Sequence, residues 1–422
     1  MAKLLASVES QKEFSFKANS VLDRPETKKN ATKRDTVPID SSFPVEEANK
    51  LATIESFNKH LFRPNTYLHK WWARRSGTTF RYILKQLIDD AAHRNYYQAE
   101  GLNGKIILDP MVGGGTIAHE TIRLGASLIA CDIDPIPVLQ VKASLTPIPL
   151  EEKVQIFEKF FEVIHGKMNG FFKSACPHCK TEGEIQFTLY GLKKSCDCQE
   201  AIFVDSLVLR ELPSGGSIKL CDKTGFPYET SLPKRKTGKM PIYEKSNRLC
   251  EDCKTHFKEN TKVAFKDRYV PLIIVGNCPE HGHFFKKVDS EDLRRIKKAN
   301  DFVQNKMLFN EEDFKVNTGP KSDDLLRRKV KSFLDLFSPR QRLYIATAKE
   351  YLDSLEEKHR FWLGLLTSTS LEFNSLLCGY KGAEKRRPGA VRHVFSHHAY
   401  SFPHTALENN PVFSAETSGN LK

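Results

Sequence analysis

Asp109 stands directly before Pro110, and after Met111 and Val112 come three consecutive glycines, Gly113, Gly114 and Gly115, with Thr116 behind them. Glycine lets a ligand approach backbone N–H groups closely and tolerates φ values that other residues avoid. A second acid, Asp132, closes the next apolar stretch roughly 20 residues on, the place where a doubly wound sheet holds a ribose by its hydroxyls. These residues suit a nucleoside-containing cofactor. A dinucleotide fingerprint has the order GxGxxG, whereas here an acid precedes the turn. The Asp109 carboxylate repels a pyrophosphate but suits the ammonium group of S-adenosylmethionine, which carries a sulfonium and no phosphate.

A second set of residues suits a metal. Cys176 and Cys179 form a CxxC pair, followed after a strand-like stretch by Cys196 and Cys198. Cys250 and Cys253 form another CxxC pair, followed after a strand-like stretch by Cys278 and His281. Two thiolates on a tight turn can chelate Zn²⁺, and a second pair completes a tetrahedral set. Taken in chain order, the first four residues make one site and the last four, a Cys₃His set, make another. Cys221 is a competing ligand for the first and His283 a substitute in the second. Closed sets of this kind are structural, so folding of the insertion should depend on metal. With 10 cysteines, several in CxxC pairs, a reducing compartment favours metal over disulfides.

The elements that must position these residues follow from the hydrophobic pattern. Residues 106–108 read as a strand, 116–124 as a helix, and Ser127 opens a second strand that ends on Asp132. Phe80, Ile83, Leu84, Leu87 and Ile88 mark one helix face in front of them. Behind them come a helix, a turn at Pro147 and Pro149, and a longer amphipathic helix leading to Cys176. Further on, FSPRQ (residues 337–341) reads as a helix start with Ser338 as N-cap and Pro339 in the first turn. Four segments result: a polar arm at 1–45, a cofactor-binding subdomain at 46–170, a double zinc-ribbon insertion at 171–290, and a helical and loop region at 291–422.

Composition sets the partners. The formal charge of +13 and pI near 9.1 point to a polyanion. KRKTGK (residues 234–239) reads either as a solvated face or as a grip on a DNA backbone. In the segment Lys70, Trp71, Trp72, Ala73, Arg74, Arg75, two indoles beside two guanidinium groups suit adenine stacking or phosphate binding, or else a core Trp with solvated arginines. No apolar run is long enough to span a bilayer and the N-terminus is no signal peptide, so a cytoplasmic protein without membrane contact is expected. The histidines His393, His397, His398 and His404 share no obvious face and read as loop residues.

DPMVGGGT followed by CDIDP resembles motifs I and II of amino-methyltransferases that act on DNA bases. HKWWARRSGTTFRYIL (residues 69–84) is similar to the stretch preceding motif I in adenine-specific DNA methylases with a zinc-ribbon insertion. TPIPLEEK, FSPRQRLYIATAKEYL, FNSLLCGY, VRHVFSHHAY and LENN extend the resemblance over most of the chain. It implies an α/β fold, a Rossmann-like S-adenosylmethionine-dependent methyltransferase sheet, incomplete here, with helical segments and the zinc-ribbon insertion. It also implies DNA as substrate, adenine-N6 favoured over cytosine-N4. Cofactor-binding residues would be Lys70, Trp71 and Trp72 as pocket wall, with Asp109, Pro110, Met111, Gly113, Gly114, Gly115, Thr116, Asp132 and Asp134. The segment 392–400 would help shape the target-base pocket.

The family orients the acceptor amine with a (D/N)PP(Y/F/W) loop, in which acid or amide and a backbone carbonyl accept from the NH₂ and the ring stacks on the flipped base. No such string occurs here. DIDPIP belongs to motif II, GFPY (residues 225–228) lies in the insertion, and NNPVF (residues 409–413) lacks the second proline. The resemblance places the missing strand and loop beyond Lys422, so no catalytic residue is assigned and a second chain is expected to supply them. The competing expectation is a zinc-dependent nucleic-acid-binding protein built on an inactive methylase remnant.

Overall fold

The computed structural model describes residues 39, 41, 43–57, 68–213, 215–230, 241–305, 309–320, 322–383, 389–394 and 400–413. These fall into two compact units, one from the ranges 1–64 and 74–133, the other from 65–73 and 134–422. One boundary between the units falls at the end of the Asp132 turn. The N-terminal arm up to residue 38 and KRKTGK lie outside the described residues, as do His397 and His398.

The first unit contains α1 (Val45–Phe57), α2 (Gly77–Lys85), β1 (Ile106–Asp109), α3 (Thr116–Arg123) and β2 (Ser127–Ala130). β1 and β2 pair in parallel, with Leu108 opposite Ile129 and Asp109 opposite Ala130. β2 thus stops two residues before Asp132, which sits in the loop beyond it. Alternation along the strands sends Ile107 into a core of Leu84, Ile88, Leu102, Leu124 and Ala126, while Ile106, Leu108 and Ile129 point away from it. α3 ends where Gly125, at φ 80, takes the left-handed turn and the Ala126 amide bonds back to the Thr121 carbonyl. Two ionic contacts hold the helices. The buried Glu55 carboxylate accepts from the Gly77 and Thr78 amides and the Ser76 hydroxyl, placing negative charge at the N-terminus of α2. Arg81 on α2 meets Glu120 on α3.

The second unit begins with α4 (Pro135–Leu145) and α5 (Leu150–Met168), which leads into β3 (Lys173–Ala175). β4 (Glu182–Ser195), 14 residues long, is the strand around which the unit is arranged. It pairs with β10 (Tyr269–Cys278), which pairs in turn with β11 (Gly282–Lys287). β3 and β5 (Glu200–Val204) also pair with β4, and β9 (Ile242–Glu244) runs parallel to β5. A small sheet is formed by β6 (Val208–Glu211), β7 (Ser217–Leu220) and β8 (Pro227–Glu229).

The remaining helices are α6 (Ser290–Asn305), α7 (Asp323–Arg327), α8 (Pro339–Asp353) and α9 (Glu357–Ser370). α8 starts with Ser338 as N-cap in a capping box with Gln341 and Pro339 in the first turn, as FSPRQ predicts. Phe160, Ile164, Met168, Ile274, Leu343 and Tyr344 join α5, α8 and the sheet in one core.

The region 379–409 departs from the expected loops. It supplies β12 (Gly379–Lys381), β13 (Ala390–Arg392) and β14 (Thr405–Asn409), and β14 lies between β4 and β12 inside the sheet. Burying Glu408 there is compensated by the buried Arg340 at the start of α8, whose Nε donates to the Glu408 carboxylate at 3.0 Å. Among the described residues, no helix is long and apolar enough to cross a membrane.

Candidate functional site

The glycine turn follows β1 directly. The Met111 amide donates to Asp109 Oδ1 at 3.2 Å, so the carboxylate folds back over its own turn. Gly113 (φ 48) and Gly115 (φ 80) hold the left-handed conformations that reserve these positions for glycine, and Gly115 is the N-cap of α3. The Gly113 amide donates to Asp132 Oδ2 at 2.9 Å, and the Val112 amide to the Cys131 carbonyl. Asp132, the acid expected at a ribose, also braces the turn through this bond. At Gly114 a Cβ would lie 3.0 Å from Cγ of Arg74, whose side chain rests on the turn. Thr116 Oγ1 donates to the Arg75 carbonyl at 3.3 Å.

One atom of this turn is out of balance. Asp109 is 5% exposed, and its Oδ2 is buried with no hydrogen-bond partner among the described residues. A buried carboxylate oxygen left unpaired costs about 1–3 kcal/mol or more. The donor that best offsets it is a cationic N–H group, whose charge-assisted bond to a carboxylate is about twice as strong as a neutral one. The residues present thus fit the ammonium end of S-adenosylmethionine and disfavour a phosphate.

The other expected cofactor residues have different surroundings. Pro110 and Met111 are exposed at the tip of the turn. Asp134 caps α4, its Oδ1 accepting from the Ile136 amide. Lys70 belongs to the second unit, where its Nζ lies 3.4 Å from Glu372; His393 Nδ1 lies 2.9 Å from the same carboxylate. Trp71 is half-buried and Trp72 40% exposed.

The eight metal-type ligands come together in two groups, but not in chain order. Cys176, Cys179, Cys278 and His281 form one, and Cys196, Cys198, Cys250 and Cys253 the other. The sequential assignment is thereby corrected, and β4 supplies the reason. Cys176 and Cys179 precede its first residue, whereas Cys196 and Cys198 follow its last. Fourteen extended residues at about 3.3 Å each keep those pairs roughly 40 Å apart. β10 runs antiparallel to β4 and carries Cys278 back to the end where Cys179 sits.

The geometry suits tetrahedral zinc. Zn–S bonds of about 2.3 Å give an S···S edge of about 3.8 Å. The Sγ separations are 3.6 Å for Cys179–Cys278, 3.7 Å for Cys196–Cys198 and 3.6 Å for Cys198–Cys250. A disulfide would need about 2.05 Å. His281 turns Nδ1 toward the group, 4.0 Å from Cys176 Sγ and 3.9 Å from Cys278 Sγ, and His178 stacks on its ring. In the second group the Thr255 hydroxyl and amide hold the Cys253 thiol down to about 6, while Cys198 is pushed up by its hydrogen bonds with Cys253, by burial and by its other cysteine neighbours. One divalent cation would relieve the opposed shifts of Cys253 and Cys198.

The turns themselves repeat. The Cys176 amide bonds the Thr181 carbonyl and the Lys180 amide returns to Cys176; Cys250 does the same with Thr255 and Lys254, and Cys221 with Phe226 and Gly225. Lys180, Lys254 and Gly225 have positive φ at the matching position. Cys221 therefore sits on the same kind of turn but in neither ligand group, and His283 lies outside them as well.

No family model matches the chain, and no solved structure matches it. It is 30% identical over 108 residues to the mitochondrial ubiquinone biosynthesis O-methyltransferase of Schizosaccharomyces pombe. The similarity is to a methyltransferase. It covers 25% of this chain and 36% of that protein, so the chain spans about a third of the relative's length and the relationship is to methyltransferases in general.

Two supporting contacts escaped the motif reading. Thr255 Oγ1 lies 3.1 Å from Cys253 Sγ, and Gln199 Nε2 donates to Cys250 Sγ at 3.2 Å. Thr255, two residues past its CxxC pair, was the available signal for the first of these, since its hydroxyl reaches the second thiolate.

Proposed function

We propose that this chain is the cofactor-binding and DNA-contacting part of an S-adenosylmethionine-dependent DNA amino-methyltransferase, adenine-N6 favoured over cytosine-N4. A further polypeptide segment completes it with the (D/N)PP(Y/F/W) loop. The observation that carries the reading is the buried Oδ2 of Asp109, without a hydrogen-bond partner among the described residues, beside a glycine turn at the end of a parallel strand. The similarity to a methyltransferase supports the reaction class, and the formal charge of +13 supports a polyanionic substrate.

In this reading the cofactor, when bound, supplies an electrophilic methyl group. Asp109 holds its ammonium, Gly113, Gly114 and Gly115 give its backbone close approach, and Asp132, which also accepts from the Gly113 amide, takes its ribose hydroxyls. Methyl transfer would join the exocyclic nitrogen to the methyl carbon as that carbon's bond to sulfur breaks and a neutral thioether leaves, and the proton shed by the nitrogen would pass to an acceptor on the completing loop. Two Zn²⁺ ions held by the two groups fold the insertion, which grips the duplex without reading its bases.

The test is calorimetric titration of the zinc-loaded chain with S-adenosylmethionine, alone and with the product of the adjacent gene, followed by transfer of labelled methyl to DNA. Binding with transfer only in the mixture is expected. No binding in either case overturns the cofactor assignment and favours a zinc-dependent nucleic-acid-binding protein.

A further inference from the structure

Three segments far apart in the sequence meet within the second unit: residues 69–70, 368–374 and 393. The pairing of β12 with β13 sets Arg392 opposite Gly379, so His393 returns beside the residues that precede β12. Its Nδ1 lies 2.9 Å from the Glu372 carboxylate, and its ring centre lies 5.7 Å from that of Phe373. The third segment docks at the end of α9, where His69 Nε2 lies 3.0 Å from Ser368 Oγ and Lys70 Nζ reaches Glu372 at 3.4 Å.

Asn374 follows Phe373 directly. It is 1% exposed, and neither Oδ1 nor Nδ2 of its side chain has a hydrogen-bond partner among the described residues. Among them it is the one side chain with two buried polar atoms left unpaired. Each such atom carries its desolvation cost until something meets it. Leucine would fill the same space without that cost, so folding alone gives no reason for an amide here.

What meets the amide has to donate to Oδ1 and accept from Nδ2 side by side. Phosphate and carboxylate oxygens only accept, and an ammonium only donates. Charge points the same way, because the Lys70 ammonium already faces Glu372 and an uncharged ligand suits the cluster better than an anion. An adenine edge satisfies both atoms at once, its N6 amine donating and its N7 accepting. Bases taken out of a duplex also stack on aromatic side chains, which Phe373 and His393 supply.

We propose that Asn374 binds the edge of the base to be methylated, an adenine held beside Phe373 and His393. The proposal rests on the methyltransferase reading and names the substrate site within it. The adenine ring of S-adenosylmethionine offers the same edge, but the residues that reading gives to the cofactor, Asp109 and the glycine turn, belong to the first unit. The substrate base is therefore the occupant assigned to the second.

The test uses the zinc-loaded full chain with 9-ethyladenine and with 9-ethylpurine, which lacks the amine, each titrated by ligand-observed NMR. 9-Ethyladenine should bind about 5- to 150-fold more tightly, the discrimination of one bidentate pair. In Asn374→Leu the two should bind equally, while the thermal midpoint holds or rises. Saturating S-adenosylmethionine should leave 9-ethyladenine bound. The comparison of the two bases on the parent chain needs no variant, so it decides even where Asn374→Leu does not fold. Equal binding of both bases by the parent, or an undiminished preference in Asn374→Leu, would overturn the proposal. So would displacement of 9-ethyladenine by S-adenosylmethionine, the mark of a cofactor site, or a lower midpoint in Asn374→Leu, the mark of an amide held by buried water. The two readings fail separately: a preference for 9-ethyladenine in a chain that never binds S-adenosylmethionine keeps the base site and removes the methyltransferase, while cofactor binding without that preference does the reverse.

Discussion

The Sγ atoms of Cys179 and Cys278 lie 3.6 Å apart although 99 residues separate them in the chain. Cys198 and Cys250, 52 residues apart, are equally close. The two candidate zinc sites therefore sit at opposite ends of β4, each tying one end of that strand to a distant segment. A metal at each would fix the ends of the strand on which the sheet is built, so metal loss should loosen the whole insertion and not a single knuckle.

The grouping can be tested by counting metal. Replacing Cys176 and Cys278 together by Ser removes two ligands of one site and none of the other, so the variant should keep one Zn²⁺ by atomic absorption. Replacing Cys176 and Cys196 together damages both sites and should leave none. Pairing in chain order demands the opposite result for both variants.

Asp109→Asn should weaken S-adenosylmethionine binding roughly 10- to 150-fold, the loss of a hydrogen bond between charged groups at about 1.5–3 kcal/mol. The same change removes a buried charge whose Oδ2 has no partner among the described residues, so the thermal midpoint should hold or rise. Unchanged affinity in calorimetry would show that the carboxylate faces something other than the cofactor.

What was legible in the sequence was local. The Asp-Pro turn, the glycines and the Ser338-Pro339 helix start act through neighbours within a few residues, and the structure shows them where the sequence places them. The grouping of Cys176 with Cys278 depends on two long strands running antiparallel, which no spacing reveals. β14 was missed for a similar reason. Thr-Ala-Leu-Glu-Asn does not read as a central strand, because Glu408 is tolerable there only with Arg340, 68 residues away, beside it. Asp132 was located as a functional acid by its distance from the glycines, but its bond to the Gly113 amide is set by a loop conformation that distance does not specify.

Arg340 and Glu408 are both buried, and Tyr190 and Thr188 complete their hydrogen bonds, with Tyr190 Oη donating to Glu408 and Arg340 to Thr188 Oγ1. Arg340→Met leaves a buried carboxylate without its cation and should cost about 3–5 kcal/mol in urea unfolding. Arg340→Met with Glu408→Leu removes both charges and should recover most of that loss. A double variant as unstable as the single one would mean that packing, and not charge, sets the cost.

His404 gives the second unit a pH dependence. Lys194 Nζ donates to His404 Nε2 at 2.9 Å, which requires a neutral ring with its proton on Nδ1, facing Asp205 at 3.9 Å. Burial lowers the imidazole below its usual 6.5 and Lys194 lowers it further, while Asp205 and Glu259 oppose this and Lys245 adds to it. The Lys194 ammonium is itself held down by burial, over the ring of Phe203. The unfolded chain therefore takes up the proton first as pH falls. The contribution to stability is complete above about 6.5 and is lost between that value and the lower folded one. His404→Gln cannot titrate and can still accept from Lys194. Its unfolding free energy should decline less steeply than that of the parent from pH 7 to pH 5.5, and the two should run parallel above pH 7.5. Identical slopes throughout would show that the ring is already exchanging its proton freely with solvent in the folded protein.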